Sequence, residues 1–339
     1  LFIMKSFFQG FEPVPTPKWV KAVEKVLKEQ SIEQLNWEIE PGISLSPYPK
    51  EVQPLPIWID RAQNQWTIVQ GILVEDEAAA NALALEALQG GAEGLVFDLV
   101  KPQLDLARLL KGIYVEMLYL HFKGQAAPSV LAQWQALGLP PAAKLSIEGL
   151  SQASAIACSW IHLQAEGQHP SDRLASLLTQ AWPWLRDAQK WGLSPEDLTQ
   201  AISLHWICDP RYLVDLAALR ALRHLWTKLL EAANAQTPSL PWIAAYTQNI
   251  AADKPYRNML VGCTQAMSAS LAGAHSLCVQ PAKTEEGSFF PRMARNVQHL
   301  LKLESFFDRV LDPTAGAYSV ETLTQLLIQR SWAKFIDHI

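Results

Sequence analysis

From Trp66 onward, short apolar runs alternate with helical segments eight times, and this alternation constrains the fold more than any other feature of the chain. The runs are WTIVQGI (66–72), GLVFDL (94–99), YVEMLYL (114–120), AKLSI (143–147), AIACSWIHL (155–163), ISLHWI (202–207), PWIAAYT (241–247) and HSLCVQ (275–280). Their near-continuous apolar character implies strands buried on both faces, as in a parallel sheet. The intervening segments carry helix signals. EDEAAANALALEALQGG opens with three acids, which suit the positive end of a helix dipole, and closes on Gly90 and Gly91. DPRYLVDLAALRALRHLWTKLLEAA offers Asp209 as a cap and Pro210 at the first helical position, then an apolar stripe from Tyr212 to Trp226. Eight strands alternating with helices predict an α/β chain folded as a (β/α)8 TIM barrel rather than an open doubly wound sheet.

Residues 1–60 read differently and are expected to form an N-terminal arm, with the barrel and its C-terminal helices over 61–339. TPKWVKAVEKVLKEQ offers Thr16 as N-cap, Pro17 at the first helical position, and Trp19, Val23 and Val26–Leu27 on one face. Four prolines over residues 47–56 then predict an extended segment.

Bulk properties exclude several function classes. The 339 residues are 49% hydrophobic and 18% charged, enough to bury a large core. A net charge of −5 without a basic run argues against nucleic acid as a partner. The four cysteines, Cys158, Cys208, Cys263 and Cys278, include no CxxC pair, so neither a zinc site nor a disulfide framework is expected and no metal is assigned. LFIMKSFF lacks the features of a signal peptide, and no apolar stretch is long enough to span a membrane. A cytoplasmic protein is expected.

In such a barrel, reacting groups stand at the C-terminal ends of the strands. That places Gln70–Gly71, Asp98, His121, Glu148, His162–Gln164, His205, Tyr246–Gln248 and Gln280 at the mouth. Side chains such as His162, Gln164, Gln248 and Asn249 either orient a polar substrate group or satisfy loop backbone groups. His205, inside LHWI, reads as a packed core histidine. The chain has no G-x-S-x-G elbow, no phosphate loop and no H-E-x-x-H pair, and GGAEG (90–94) precedes a strand and reads as a helix stop.

Several phrases together carry a resemblance. WTIVQGILVEDEAAANALALEALQGGAEGLVFDL, LAALRALRHLWTKLL, YTQNIAADKPYRNMLVGCTQAMSASLAGAHSL and RMARNVQHLLKLESFFDRVLDPTAGAYSVETL occur in the order found in the methylmalonyl-CoA mutase family, and FEPVPTPKWVKAVEKVLK…LNWEIEPGISLSPYP is similar to that family's arm. The resemblance covers most of the chain and is weakest from about 100 to 200. It implies a subunit of an adenosylcobalamin-dependent acyl-CoA isomerase, in which the cofactor supplies a radical and the protein supplies burial and orientation. DPTAGAYSVE (312–321) is a fingerprint lying beyond the barrel strands, so it marks identity rather than catalysis.

The resemblance breaks where the chemistry should sit. Catalytic members carry a Gln-Tyr pair on the first strand, and here the pair is Gln70-Gly71. They place an arginine after the fourth strand for the substrate carboxylate, and here the stretch is EGLSQAS (148–154). The loop after the last strand is shortened to QPAKTEEG. His162 resembles the histidine that hydrogen-bonds the substrate carbonyl, and Gln248 the glutamine ending the seventh strand. Without tyrosine and arginine both read as vestigial, and no catalytic residue is assigned. No histidine lies in the D-x-H-x-x-G sequence of the family's cobalamin domains, and the chain stops at WAKFIDHI, so no cobalamin-binding domain is expected in it.

Three functions follow. The first is the noncatalytic small subunit of a heterodimeric mutase. Its partner would be a homologous large subunit, which would bind the acyl-CoA, with adenosylcobalamin held by the complex and not by this chain alone. The second is a catalytic barrel that borrows a separately encoded cobalamin-binding subunit. The third is an unrelated activity on a reused barrel.

Overall fold

A computed structural model describes residues 14–28, 30–49, 52–56, 61–140, 144–150, 160–237, 239–251, 253–282 and 289–339. The chain divides into two units, at residues 51 and 52.

In the first unit, α1 spans Thr16–Val26. Its N-cap is Pro15, so Thr16 stands inside the helix and makes no side-chain cap, one residue off the expected start. The helix buries none of its residues. A hairpin not foreseen from sequence follows: β1 (Trp37–Glu40) pairs antiparallel with β2 (Ile43–Leu45) across Gly42, whose φ of 84° suits a turn that glycine tolerates. Tyr48 packs edge-on against Trp19, with ring centroids 4.5 Å apart.

The second unit is the barrel. Its strands are β3 (Thr67–Val74), β4 (Gly94–Leu99), β5 (Tyr119–Gly124), β6 (Lys144–Ile147), β7 (Ile161–Gln164), β8 (Ile202–Ile207), β9 (Trp242–Tyr246) and β10 (Ser276–Cys278). They form one parallel sheet in the order β6-β5-β4-β3-β10-β9-β8-β7. The two end strands meet through a parallel bridge between Ser146 and Trp160, where the Trp160 N–H donates to the Leu145 carbonyl at 2.8 Å. That bridge brings the sheet around into a (β/α)8 barrel. The expected strand 114–120 is displaced: residues 115–117 form a 3₁₀ turn and the strand runs on to Gly124. Residues 155–159 of the fifth expected strand, and Cys158 with them, lie outside the described residues.

The helices explain themselves locally. Asp76 accepts the Ala79 N–H at 2.9 Å and starts α2 (Glu77–Gln89), and Gly90 and Gly91, the latter at φ 87°, end it. Ala80, Ala84 and Ala87 lie one helical turn apart and are its buried face. Two short helices, α3 (Leu106–Leu109) and α4 (Ala127–Ala136), flank β5, and α5 (Pro170–Arg186) and α6 (Pro195–Gln200) precede β8. The next helix, α7 (Tyr212–Ala232), starts later than expected, because Asp209 accepts the Arg211 N–H and pairs with its guanidinium instead of capping. It packs beside α8 (Pro255–Leu271), and buried Asp215 ties both to β8 by accepting from Trp206 Nε1 and Ser268 Oγ, each at 2.7 Å. Burial raises the pKa of that carboxyl. After β10 come α9 (Phe289–His299) and α10 (Tyr318–His338), the latter lying against α5 and α7. No described helix is long and apolar enough to cross a membrane.

The fingerprint DPTAGAYSVE closes this unit around one cation. Arg220, on α7 and 4% exposed, pairs with Asp312 and with Glu321, each at 2.9 Å. Glu321 Oε1 also accepts the Gly316 N–H, and Thr314 donates to Asp312. Asp312 (φ 42°) and Gly316 (φ 81°) take the left-handed conformations that turn the chain back onto its partner helix. The motif is a clasp that ties α7 to the start of α10.

Candidate functional site

Because side chains alternate along a strand, every second residue of each barrel strand faces the axis. At the N-terminal end the axis is filled by Tyr119, Trp160 and Trp242, whose ring centroids lie 5.1–6.1 Å apart. Lys144 Nζ stands 3.3 Å from the Trp242 ring centroid. Above this plug, His121 from β5, His162 from β7 and His205 from β8 meet around the axis. The centroids of His162 and His205 are 3.8 Å apart, those of His121 and His205 4.6 Å. Tyr246 covers them, stacked 5.4 Å from His205 and 3.3 Å, oxygen to oxygen, from the Tyr119 hydroxyl.

Two cavities open at the C-terminal mouth. One, of about 370 Å³, is lined by His121, Glu148, His205, Gln164 and Gln248 among others. The other, of about 410 Å³, lies against Gly71, Asp98, Cys278 and Gln280, and Lys123, Tyr246 and Gln280 border both. A Cβ on Gly71 would meet only Cys278 Sγ, at 3.4 Å, and Gln280 Oε1, at 3.9 Å. Gly71 thus borders a cavity at the position where the resemblance would place an aromatic ring. Gln70 is no compensation. It is buried on the other face of β3, where Arg295 Nη1 of α9 approaches its Oε1 at 3.4 Å.

The electrostatics of the mouth are those of a nearly neutral pocket. Burial lowers the pKa of His121, His162 and His205, that of His162 to about 4 with repulsion from His121 adding to the effect. All three imidazoles are neutral at physiological pH. Glu148 Oε1 stands 3.4 Å from His121 Nε2 and 3.7 Å from His162 Nε2. Burial pushes the Glu148 carboxyl up, but its contacts with the two histidines outweigh that and hold it low. Burial also raises the Cys278 thiol to about 12, so it is an inert neighbour of Gly71. Lys123 is the only Lys or Arg among the described residues lining the two cavities, and Asp98 pairs with it at 3.0 Å. Among the described residues, no free cation is left there to take a substrate carboxylate.

Of the residues singled out from sequence, His121, Glu148, Gln164, His205, Tyr246, Thr247, Gln248, Asn249 and Gln280 line the first cavity, and His162 joins through Glu148. Gln248 spends its amide on the Cys208 carbonyl at 2.9 Å, and Asn249 donates to the Pro281 carbonyl at 2.9 Å. Both amides donate to backbone carbonyls. Most of EGLSQAS (151–154) and of QPAKTEEG (283–287) lies outside the described residues. Sequence reasoning missed Lys123, because the strand was expected to stop at residue 120. The period-two run Tyr119, His121, Lys123 carried the signal.

The sequence profile of the methylmalonyl-CoA mutase family matches residues 142–339. Among similar proteins, the methylmalonyl-CoA mutase small subunit of Porphyromonas gingivalis is 27% identical over 98% of this chain and 64% of its own length. The probable methylmalonyl-CoA mutase small subunit of Mycobacterium bovis is 32% identical over 50% of this chain and 29% of its own. The large subunit of the Porphyromonas gingivalis mutase is 25% identical over 55% of this chain and 27% of its own. The chain thus spans under two thirds of the first relative and less than a third of the other two.

Proposed function

The chain belongs to the methylmalonyl-CoA mutase family, and from that premise we propose that it is a small subunit that supports a homologous large subunit without itself performing the isomerisation. The observation that carries this reading is the open space at Gly71. A radical enzyme needs its reacting centre walled off from water, and this mouth has a cavity of about 410 Å³ where the family's aromatic ring belongs.

Two further features support it. Among the described residues, a substrate carboxylate would find only Lys123, already paired with Asp98. His162 and Gln248, the two positions resembling catalytic ones, are engaged with their own neighbours: His162 with Glu148 and the other histidines, Gln248 with the Cys208 carbonyl.

The residues present do not fit adenosylcobalamin as a group held by this chain. Of its eight histidines, three face the barrel interior and His275 is buried at the opposite end. His169, His224, His299 and His338 stand on or beside the outer helices. None belongs to a cobalt-ligating sequence of the family type. In this reading the cofactor and the acyl-CoA are handled by the large subunit, and no reaction step is assigned to this barrel.

Co-purification from native lysate, with mass spectrometry of what accompanies the tagged chain, tests the proposal. A long homologue with tyrosine at the position of Gly71 is the expected partner. Recovery of a short cobalamin-binding protein, without such a homologue, would make this barrel the catalyst and overturn the reading.

A further inference from the structure

The three inward-facing histidines carry an inference independent of the subunit's role. His121, His162 and His205 come from three different strands, and each offers a ring nitrogen within 4.8 Å of those of the other two. Three ligand atoms held tetrahedrally at about 2.0–2.1 Å from a zinc ion lie about 3.3 Å apart, so closing the site asks for movements of at most about 1.5 Å.

The surroundings have the form of a ligand shell. A metal-bound imidazole uses one nitrogen for the metal and the other for an orienting partner, commonly a carboxylate. Here Glu148 Oε1 sits beside the Nε2 atoms of both His121 and His162, and Ser203 Oγ is 3.0 Å from His205 Nε2. The opposite nitrogens, Nδ1 of His121 and of His162, are buried with no hydrogen-bond partner. His121 is 1% exposed, so its orphaned nitrogen carries a desolvation cost that nothing in the protein offsets. Ordinary core packing gives no reason to gather three imidazoles and leave two of their nitrogens unused. A cation bound through these Nδ1 atoms would supply the missing partner, with an open coordination position toward the cavity of about 370 Å³.

We propose that His121, His162 and His205, with Glu148 orienting the first two, form a binding site for a divalent transition-metal ion of the zinc type. Imidazole donors suit zinc, nickel, copper and iron, and exclude magnesium and calcium as preferred occupants. The lack of a H-E-x-x-H pair and of CxxC pairs does not bear on such a site, because its ligands are spread over 85 residues and meet only through the barrel.

The test uses the whole chain, freed of metal with chelator and then dialysed against Zn²⁺ and, separately, Co²⁺. One Zn²⁺ per chain is expected, with X-ray absorption showing nitrogen and oxygen neighbours and the outer-shell scattering of imidazole. Co²⁺ should give visible bands without thiolate charge transfer. His162→Gln should lower the affinity at least tenfold and Glu148→Gln about 10–100-fold, the usual effect of losing an orienting carboxylate. No stoichiometric binding, sulfur ligation, or affinity unchanged in His162→Gln would overturn the site. The absorption measurement on the unaltered chain decides the matter even where a variant does not fold.

Discussion

Cys278 Sγ stands 3.4 Å from where a Cβ on Gly71 would be, ordinary contact distance, and beyond it lies an open cavity. The backbone of Gly71 is not in the left-handed region, so the glycine is required neither by strain nor by crowding. What it leaves is the space of a missing side chain. Gly71→Tyr should therefore fold, with a melting temperature within a few degrees of the parent. It should confer no acyl-CoA isomerisation on the purified chain, since the paired Lys123 still provides no carboxylate site. Turnover by that variant would show that the ring was the only missing part.

The clasp at the C-terminal end makes a stability prediction. Arg220→Met removes one member of a buried set that includes Asp312 and Glu321, leaving carboxylates without their cation. Breaking such a set costs about 3–5 kcal/mol. Urea unfolding should show a loss of this size, with no change in the residues around the barrel mouth. A loss below 1 kcal/mol would mean that the carboxylates find other partners.

The same clasp should give the protein an acid-sensitive component of stability. Burial pushes the Glu321 carboxyl up, but the hydrogen bond from Arg220 and the Gly316 N–H outweigh it, so its pKa in the folded state is lowered. A lowered carboxyl contributes stability that is complete above the unfolded value, about 4.3, and is lost as pH falls through the folded one. Unfolding free energy measured from pH 6 downward should fall less steeply in Glu321→Gln than in the parent. Parallel slopes would remove Glu321 from the account.

In the proposed reading, the N-terminal unit takes part in assembly. Its helix α1 buries none of its own residues, although Trp19, Val23 and Val26 recur at helical spacing. We expect deletion of residues 1–50 to weaken association with the large subunit at least tenfold, as read by sedimentation or calorimetry. Unchanged association would rule out a role for this segment in pairing.

The barrel was legible because its signal is redundant. Eight apolar runs at comparable spacing survive an error at any one of them, and the displaced start of β5 did not disturb the topology. The site was less legible, for a geometric reason. His121, His162 and His205 are 41 and 43 residues apart, and only the order of strands around the barrel brings their rings together. Even with the strands in hand, their inward faces depend on phase, and stopping the third run at residue 120 hid Lys123 and its pairing with Asp98. The hairpin at 37–45 was missed because its strands are only three and four residues long, too short for an alternating pattern to register. Gly71 could be judged from sequence only through the family resemblance; the structure adds that it lines a cavity.

The central claim is that this barrel does not itself isomerise an acyl-CoA. The most direct test incubates the purified chain with methylmalonyl-CoA and adenosylcobalamin, alone, with a cobalamin-binding protein, and with the large subunit, and follows succinyl-CoA by mass spectrometry. Product should appear only when the large subunit is present. Product formed by this chain without that subunit would contradict the account.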